Sequence, residues 1–165
     1  MKNYLLSTLL AMLAQPSFAQ AVDAESIHYK GLDFYNKKSA ILHKLGKPDS
    51  ITQPDYQCGF LSEAEQGKKY YSLHYGKVVF TGNKKEGYLL ESIVFDRDVE
   101  VQYAASVLTG QTTIDHLKVL FGREWTAEEL LNGSMVISFG ETSDDGLRIF
   151  TENGLLVKIQ YWSPC

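Results

Sequence analysis

The stretch from Tyr70 to Phe95 constrains this chain more than any other. It runs YYSLHYG, KVVFTGNKKEG, YLLESIVF: three short apolar runs separated by glycine- and lysine-rich turns. That reads as three strands joined by tight connections. A second set lies downstream, as SMVISFG, GLRIFTENG and LLVKIQY. A chain that writes such a set twice is directed toward an antiparallel sheet.

Each set is preceded by helix signals. In NKKSAILHKLG (36–46), Asn36 can cap the first turn. Ile41, Leu42 and Leu45 share a face, and Gly46 stops the helix with Pro48 beyond it. TTIDHLKVLFG (112–122) repeats the layout, with Ile114, Leu117, Leu120 and Phe121 as the apolar face. Ser62-Glu63-Ala64-Glu65 and Thr126-Ala127-Glu128-Glu129 are capping-box patterns, a hydroxyl followed three residues later by Glu. Aligning glycines and apolar positions sets Leu73-His74-Tyr75-Gly76 against Ile137-Ser138-Phe139-Gly140. It also sets Val79-Phe80-Thr81 against Ile149-Phe150-Thr151, and Ile93 and Phe95 against Ile159 and Tyr161. The fold predicted is α+β: two tandem helix–helix–strand–strand–strand repeats, at 20–100 and 101–165, forming one antiparallel sheet with helices packed on one face.

The N-terminus predicts export. Met1-Lys2 is followed by an apolar run from Leu5 to Ala14, and Ser17-Phe18-Ala19 is a small-x-small cleavage site, so 1–19 reads as a signal peptide. No cysteine beside the site would take a lipid. The expected location is the periplasm or the exterior. There Cys58 and Cys165, the two cysteines, are expected to form an intramolecular disulfide; an intermolecular bond or two free thiols are the alternatives. The net charge of −4 makes nucleic acid a poor partner, because phosphate tracking needs a basic surface. No later run is apolar enough for a membrane helix, so no membrane insertion is expected.

The pattern around Leu45-Gly46-Lys47-Pro48, with Val79-Phe80 through Ile93-Phe95, resembles a fold shared by two groups. One is the β-lactamase inhibitor proteins, which carry two such units in tandem. The other is the small lipoprotein subunit of the outer-membrane β-barrel assembly machine. In the second copy Gly122 and Ile149-Phe150 through Ile159-Tyr161 carry the likeness, without the Pro. The resemblance implies a protein that binds an enzyme on an exposed sheet face.

Strand alternation separates two faces. Leu73, Tyr75, Ile137 and Phe139 read as inward, as do Leu89, Ile93 and Phe95, with Glu91 an oddity among them. Leu155, Val157, Ile159 and Tyr161 form the matching series. Outward are Leu90, Ser92 and Val94, and Val78 by register. The candidate binding residues are the outward Tyr70, His74, Phe80, Arg148, Phe150, Lys158 and Trp162, types that dominate binding hot spots. A loop over that face, or a register off by one, would change this reading. Catalytic signals are thin. His28, His43, His74 and His116 show no i, i+4 pairing, Ser134 lacks a G-x-S-x-G setting, and the acidic run Asp96, Asp98, Glu100 lacks EF-hand spacing. No catalytic residue, cofactor or metal is expected. The expected function is an exported non-catalytic binding protein, an inhibitor or immunity-type antagonist of a partner enzyme. A periplasmic envelope-assembly or scaffold component is the alternative.

Overall fold

A computed structural model describes residues 22–54, 67–140 and 143–164. The signal-peptide reading at 1–19, the helix signal at Ser62 and both Cys58 and Cys165 lie outside the described residues. The chain opens with β1 (Ile27–His28), β2 (Tyr35–Asn36), α1 (Lys38–Leu45) and β3 (Ser50–Thr52). A meander follows: β4 (Tyr71–Tyr75), β5 (Val78–Asn83) and β6 (Gly87–Val94). Then come β7 (Val101–Tyr103), β8 (Ser106–Leu108), α2 (Ile114–Phe121) and α3 (Ala127–Asn132). A second meander closes the fold: β9 (Ser134–Ser138), β10 (Gly146–Glu152) and β11 (Leu155–Trp162).

The two meanders join edge to edge in one antiparallel sheet of order β3-β4-β5-β6-β11-β10-β9, with β2 also paired to β6. A small sheet, β1-β7-β8, lies over one face of it. Ile27, Val101, Tyr103 and Leu108 from the small sheet meet Ile93, Leu147 and Ile159 from the large one around a small interior cavity, which Phe121 of α2 also lines. This is the inner face of the large sheet. Leu73, Phe80, Ile149 and Leu156, all at 0% exposure, belong to the same core.

The predicted layout of two helix–helix–strand–strand–strand units with a helical layer is corrected here. The described residues are mostly antiparallel sheet, with three short helices. Helices of this length have little to bury. Ile41 is the buried residue of α1, Leu117 and Phe121 are those of α2, and α3 has none. Part of the apolar inner face is covered by the small second sheet, with Phe121 of α2 beside it.

Local chemistry explains the element ends. α2 begins at Thr113, whose hydroxyl accepts from the His116 N–H, and α3 begins with a complete capping box between Thr126 and Glu129. At α1 the N-cap position falls to Lys37, with no side-chain cap, rather than to Asn36. The β10–β11 hairpin turns on Asn153 and Gly154, both at positive φ, as a two-residue turn requires.

Two bulges decide which side chains face out. Across β5 and β6, Val79 opposes Ser92 but Phe80 opposes Leu90, so Glu91 is an extra residue. Across β10 and β11, Phe150 opposes Lys158 but Thr151 opposes Leu156, so Val157 is extra. An extra residue shifts the period-2 pattern by one and exchanges faces beyond it. The pairing corrects several assignments: Leu90 and Leu156 lie beyond the bulges, whereas Val78 opposes Ile93 on the near side and Phe80 shares its face two residues on in the same strand. Val78, Phe80 and Leu90 are core residues rather than outward ones. Leu156, not Leu155, is the core residue at the start of β11.

Candidate functional site: the outer face of the second meander

The side of the large sheet away from the small sheet carries the candidate site. On β10 and β11, Arg148 stands opposite Gln160, Phe150 opposite Lys158, and Gly146 opposite Trp162. Directly opposed residues share a face, so these side chains form one surface. All of Arg148, Phe150, Lys158, Gln160 and Trp162 are half-buried rather than enclosed. On β9, Val136 and Ser134 continue the rows beside Arg148 and Phe150.

The side chains are ordered by cation–π contacts. The Arg148 guanidinium lies 6.0 Å from the centre of the Trp162 ring. The Lys158 ammonium lies 5.3 Å from that of Phe150 and donates to Gln160 Oε1 at 2.8 Å. A cation over an aromatic face is worth about 0.5–1 kcal/mol where exposed. Among the described residues no carboxylate forms an ion pair with Arg148 or Lys158. The chain as a whole is acidic, so the two cations mark a local reversal of sign.

The other three predicted binding residues separate from this group. Phe80 is corrected to the core, at 0% exposure on the inner face. Tyr70 is corrected to a buried position, at 6%, where its hydroxyl donates to Glu86 Oε2 at 2.7 Å. Burial, with Glu86 as hydrogen-bond partner and neighbouring charge, pushes the Tyr70 hydroxyl up to about 12. Lys68, Tyr70 and Asn83 in turn hold the Glu86 carboxyl down to about 2. His74 does lie on the outer face, half-buried, with its Nε2 2.8 Å from Thr52 Oγ1. It shares a cross-sheet row with Val79, Ser92, Gln160 and Arg148. Four strand spacings separate it from Arg148, roughly 19 Å. That is too far for one side-chain cluster but within one protein-sized footprint.

The edge strand β9 is blunted. Arg123 donates from Nη1 to the Val136 carbonyl at 2.7 Å, and the Val22 N–H donates to that of Ser138 at 3.1 Å. Occupied edge carbonyls disfavour strand addition there. The exposed chemistry is therefore on the face. Val136 and Gln160 belong to the surface and were not among the candidate binding residues; alternation sets Gln160 on the outward face with Lys158 and Trp162, and the pairing register makes both neighbours of Arg148.

Among the described residues no helix is long and apolar enough to cross a membrane, and no three His, Cys, Asp or Glu gather as metal ligands would. Comparison with protein-family models, characterised proteins and solved structures yields no match to this chain.

Proposed function

We propose that this chain is an exported, non-catalytic binding protein that docks a partner protein through the outer face of β9–β11. The observation that carries the reading is the half-exposed group of Arg148, Trp162, Phe150 and Lys158, with both cations unpaired among the described residues. Arg and Trp are the residues most often found as interface anchors. Rings already held by cations lose little side-chain freedom on binding. The partner surface that fits is acidic and carries an apolar or aromatic loop, because unpaired cations in an acidic chain steer toward carboxylates. That the partner is an enzyme held inhibited rests on the sequence resemblance alone, and the periplasmic location on the signal-like N-terminus.

The test is co-purification from a periplasmic extract with the wild-type chain, Trp162→Ala and Arg148→Ala as baits, followed by a titration with the captured protein. The reading expects one acidic partner, held by the wild type and lost by both variants, with folding of the variants unchanged. A soluble enzyme as partner supports antagonism, and an outer-membrane assembly supports the scaffold alternative. Equal capture by all three baits would refute the face as the docking surface.

A further inference from the structure

A second concave surface lies on the first half of the molecule, independent of the face just described. It is a trough of about 700 Å³ between the start of α1 and the tip of the β5–β6 hairpin. Concave sites for small ligands commonly span about 300–1,000 Å³. Lys37 and Lys38 stand on one wall, Lys84 and Lys85 on the other, and Tyr35, Tyr71 and Tyr88 between them.

The walls are fixed by backbone. Below them β2 pairs with β6, Asn36 opposite Tyr88. Gly87 sits at φ 97, where a Cβ would come within 3.1 Å of the Asn36 carbonyl oxygen, so the hairpin approaches β2 closely. At the hairpin tip the buried Asn83 accepts from the Lys85 and Glu86 N–H groups at 2.9 Å each. The hairpin backbone is held while the Lys84 and Lys85 side chains reach into solvent, and on the facing wall the Lys38 ammonium lies 6.0 Å from the centre of the Tyr88 ring.

The charge in the trough is one-sided. Its carboxylate, Glu86, is already engaged by Lys68, Tyr70 and Asn83. Among the described residues no carboxylate pairs with Lys37, Lys38, Lys84 or Lys85. Clustered like charges repel and need an external anion to offset them. Aromatic surface is also left in water: Tyr35 is 58% exposed and Tyr71 is 39% exposed.

We propose that this trough binds an anionic oligosaccharide, one carrying carboxylate or sulfate groups on its sugar rings. Tyrosine rings offer flat apolar faces to the C–H side of a sugar ring and hydroxyls to its oxygens. Lysines on both walls meet charges projecting to either side of a chain laid along the trough. An acidic peptide fits less well. A peptide docking as an added strand would need open backbone partners, and here β2 and β6 already pair with each other. A lone inorganic anion would fill a small part of the space and touch no ring.

The test is calorimetric titration of the full chain with four probes: a uronic-acid hexasaccharide, a sulfated hexasaccharide, a neutral hexasaccharide and an Asp/Glu-rich peptide. At least one anionic sugar should bind, weakening as salt is raised, while the neutral sugar and the peptide do not. Which anionic sugar binds identifies the acid group. Lys84→Gln with Lys85→Gln should weaken binding about tenfold or more, since two charges leave one wall. Tyr71→Ala should weaken it while leaving the salt dependence in place. Melting curves of the variants should match the wild type, as the altered side chains are exposed. No binding of either anionic sugar, unchanged affinity in the double lysine variant, or binding of the peptide in preference to the sugars would each overturn the assignment.

Discussion

The two meanders have the same strand order and a bulge in the same place, yet they present opposite outer faces. In the first, Ser72 and Thr81 sit on the outer side but are buried, at 4% and 1%. Their hydroxyls lie 2.7 Å apart, and Thr81 donates to Glu91, the residue the bulge releases. In the second, the bulge releases Val157, which brings no polar group to satisfy. Arg148, Phe150, Lys158 and Trp162 remain half-exposed there. One backbone plan thus supports a closed polar seam in one half and an open aromatic–cationic surface in the other. Which face stays open follows from which side chain the bulge carries and from what surrounds it, not from the meander itself.

The largest expected contrast is between two phenylalanines in near-identical settings, Val79-Phe80-Thr81 and Ile149-Phe150-Thr151. Phe80→Ala should cost about 3–5 kcal/mol, the range for a buried aromatic. Phe150→Ala should cost about 1 kcal/mol or less. Urea denaturation midpoints of the two variants measure this, and equal costs would break the distinction between the halves.

Next in size is Trp162→Ala. It should weaken the partner complex by about 2 kcal/mol or more, as anchor residues do, with no more than about 1 kcal/mol lost from folding. Affinity and denaturation are read on the same sample. A variant that binds normally but melts far earlier would place Trp162 in the structural core.

A smaller effect is expected in the polar seam. Thr81→Val removes the hydroxyl shared by Ser72 and Glu91, taking a hydrogen bond from the buried Ser72, at about 1–3 kcal/mol. Lys158→Met on the open face should stay within about 0.5 kcal/mol. If the two substitutions cost the same, the seam contributes no more than the open surface.

The smallest effect is a pH dependence carried by Glu86 in the first half. The Glu86 carboxyl is lowered from its ordinary value of 4.5 to about 2 by Lys68, Tyr70 and Asn83. A depressed carboxyl contributes stability that is present above 4.5 and lost as pH falls toward 2. The stability difference between wild type and Glu86→Gln should therefore shrink as pH falls through that window. Urea midpoints at several pH values check it, and a constant difference would show that the Glu86 cluster is not linked to protonation.

Turns, helix ends and strands were legible in the sequence because their causes are local. Gly46, Gly122 and Gly154 take the positive φ that only glycine adopts freely, and Thr126 and Glu129 cap each other within one turn. The candidate surface was legible in part. Arg148, Phe150, Lys158 and Trp162 lie in a hairpin whose alternation could be followed from its own residues. Phe80 was misplaced for a physical reason. Aligning Phe80 with Phe150 by their neighbours sets the two copies one residue out of step. The ladder instead matches Val79 with Phe150, since each opposes the residue just beyond its bulge. A two-residue period contains no mark of where an extra residue will be absorbed. Pairing with the neighbouring strand decides that, and a one-residue slip exchanges every side chain beyond it. The cover on the inner face was decided the same way. Ile27–His28, Val101–Tyr103 and Ser106–Leu108 are too short to announce themselves as strands. They become a layer because they find one another across the chain, over part of the apolar inner face.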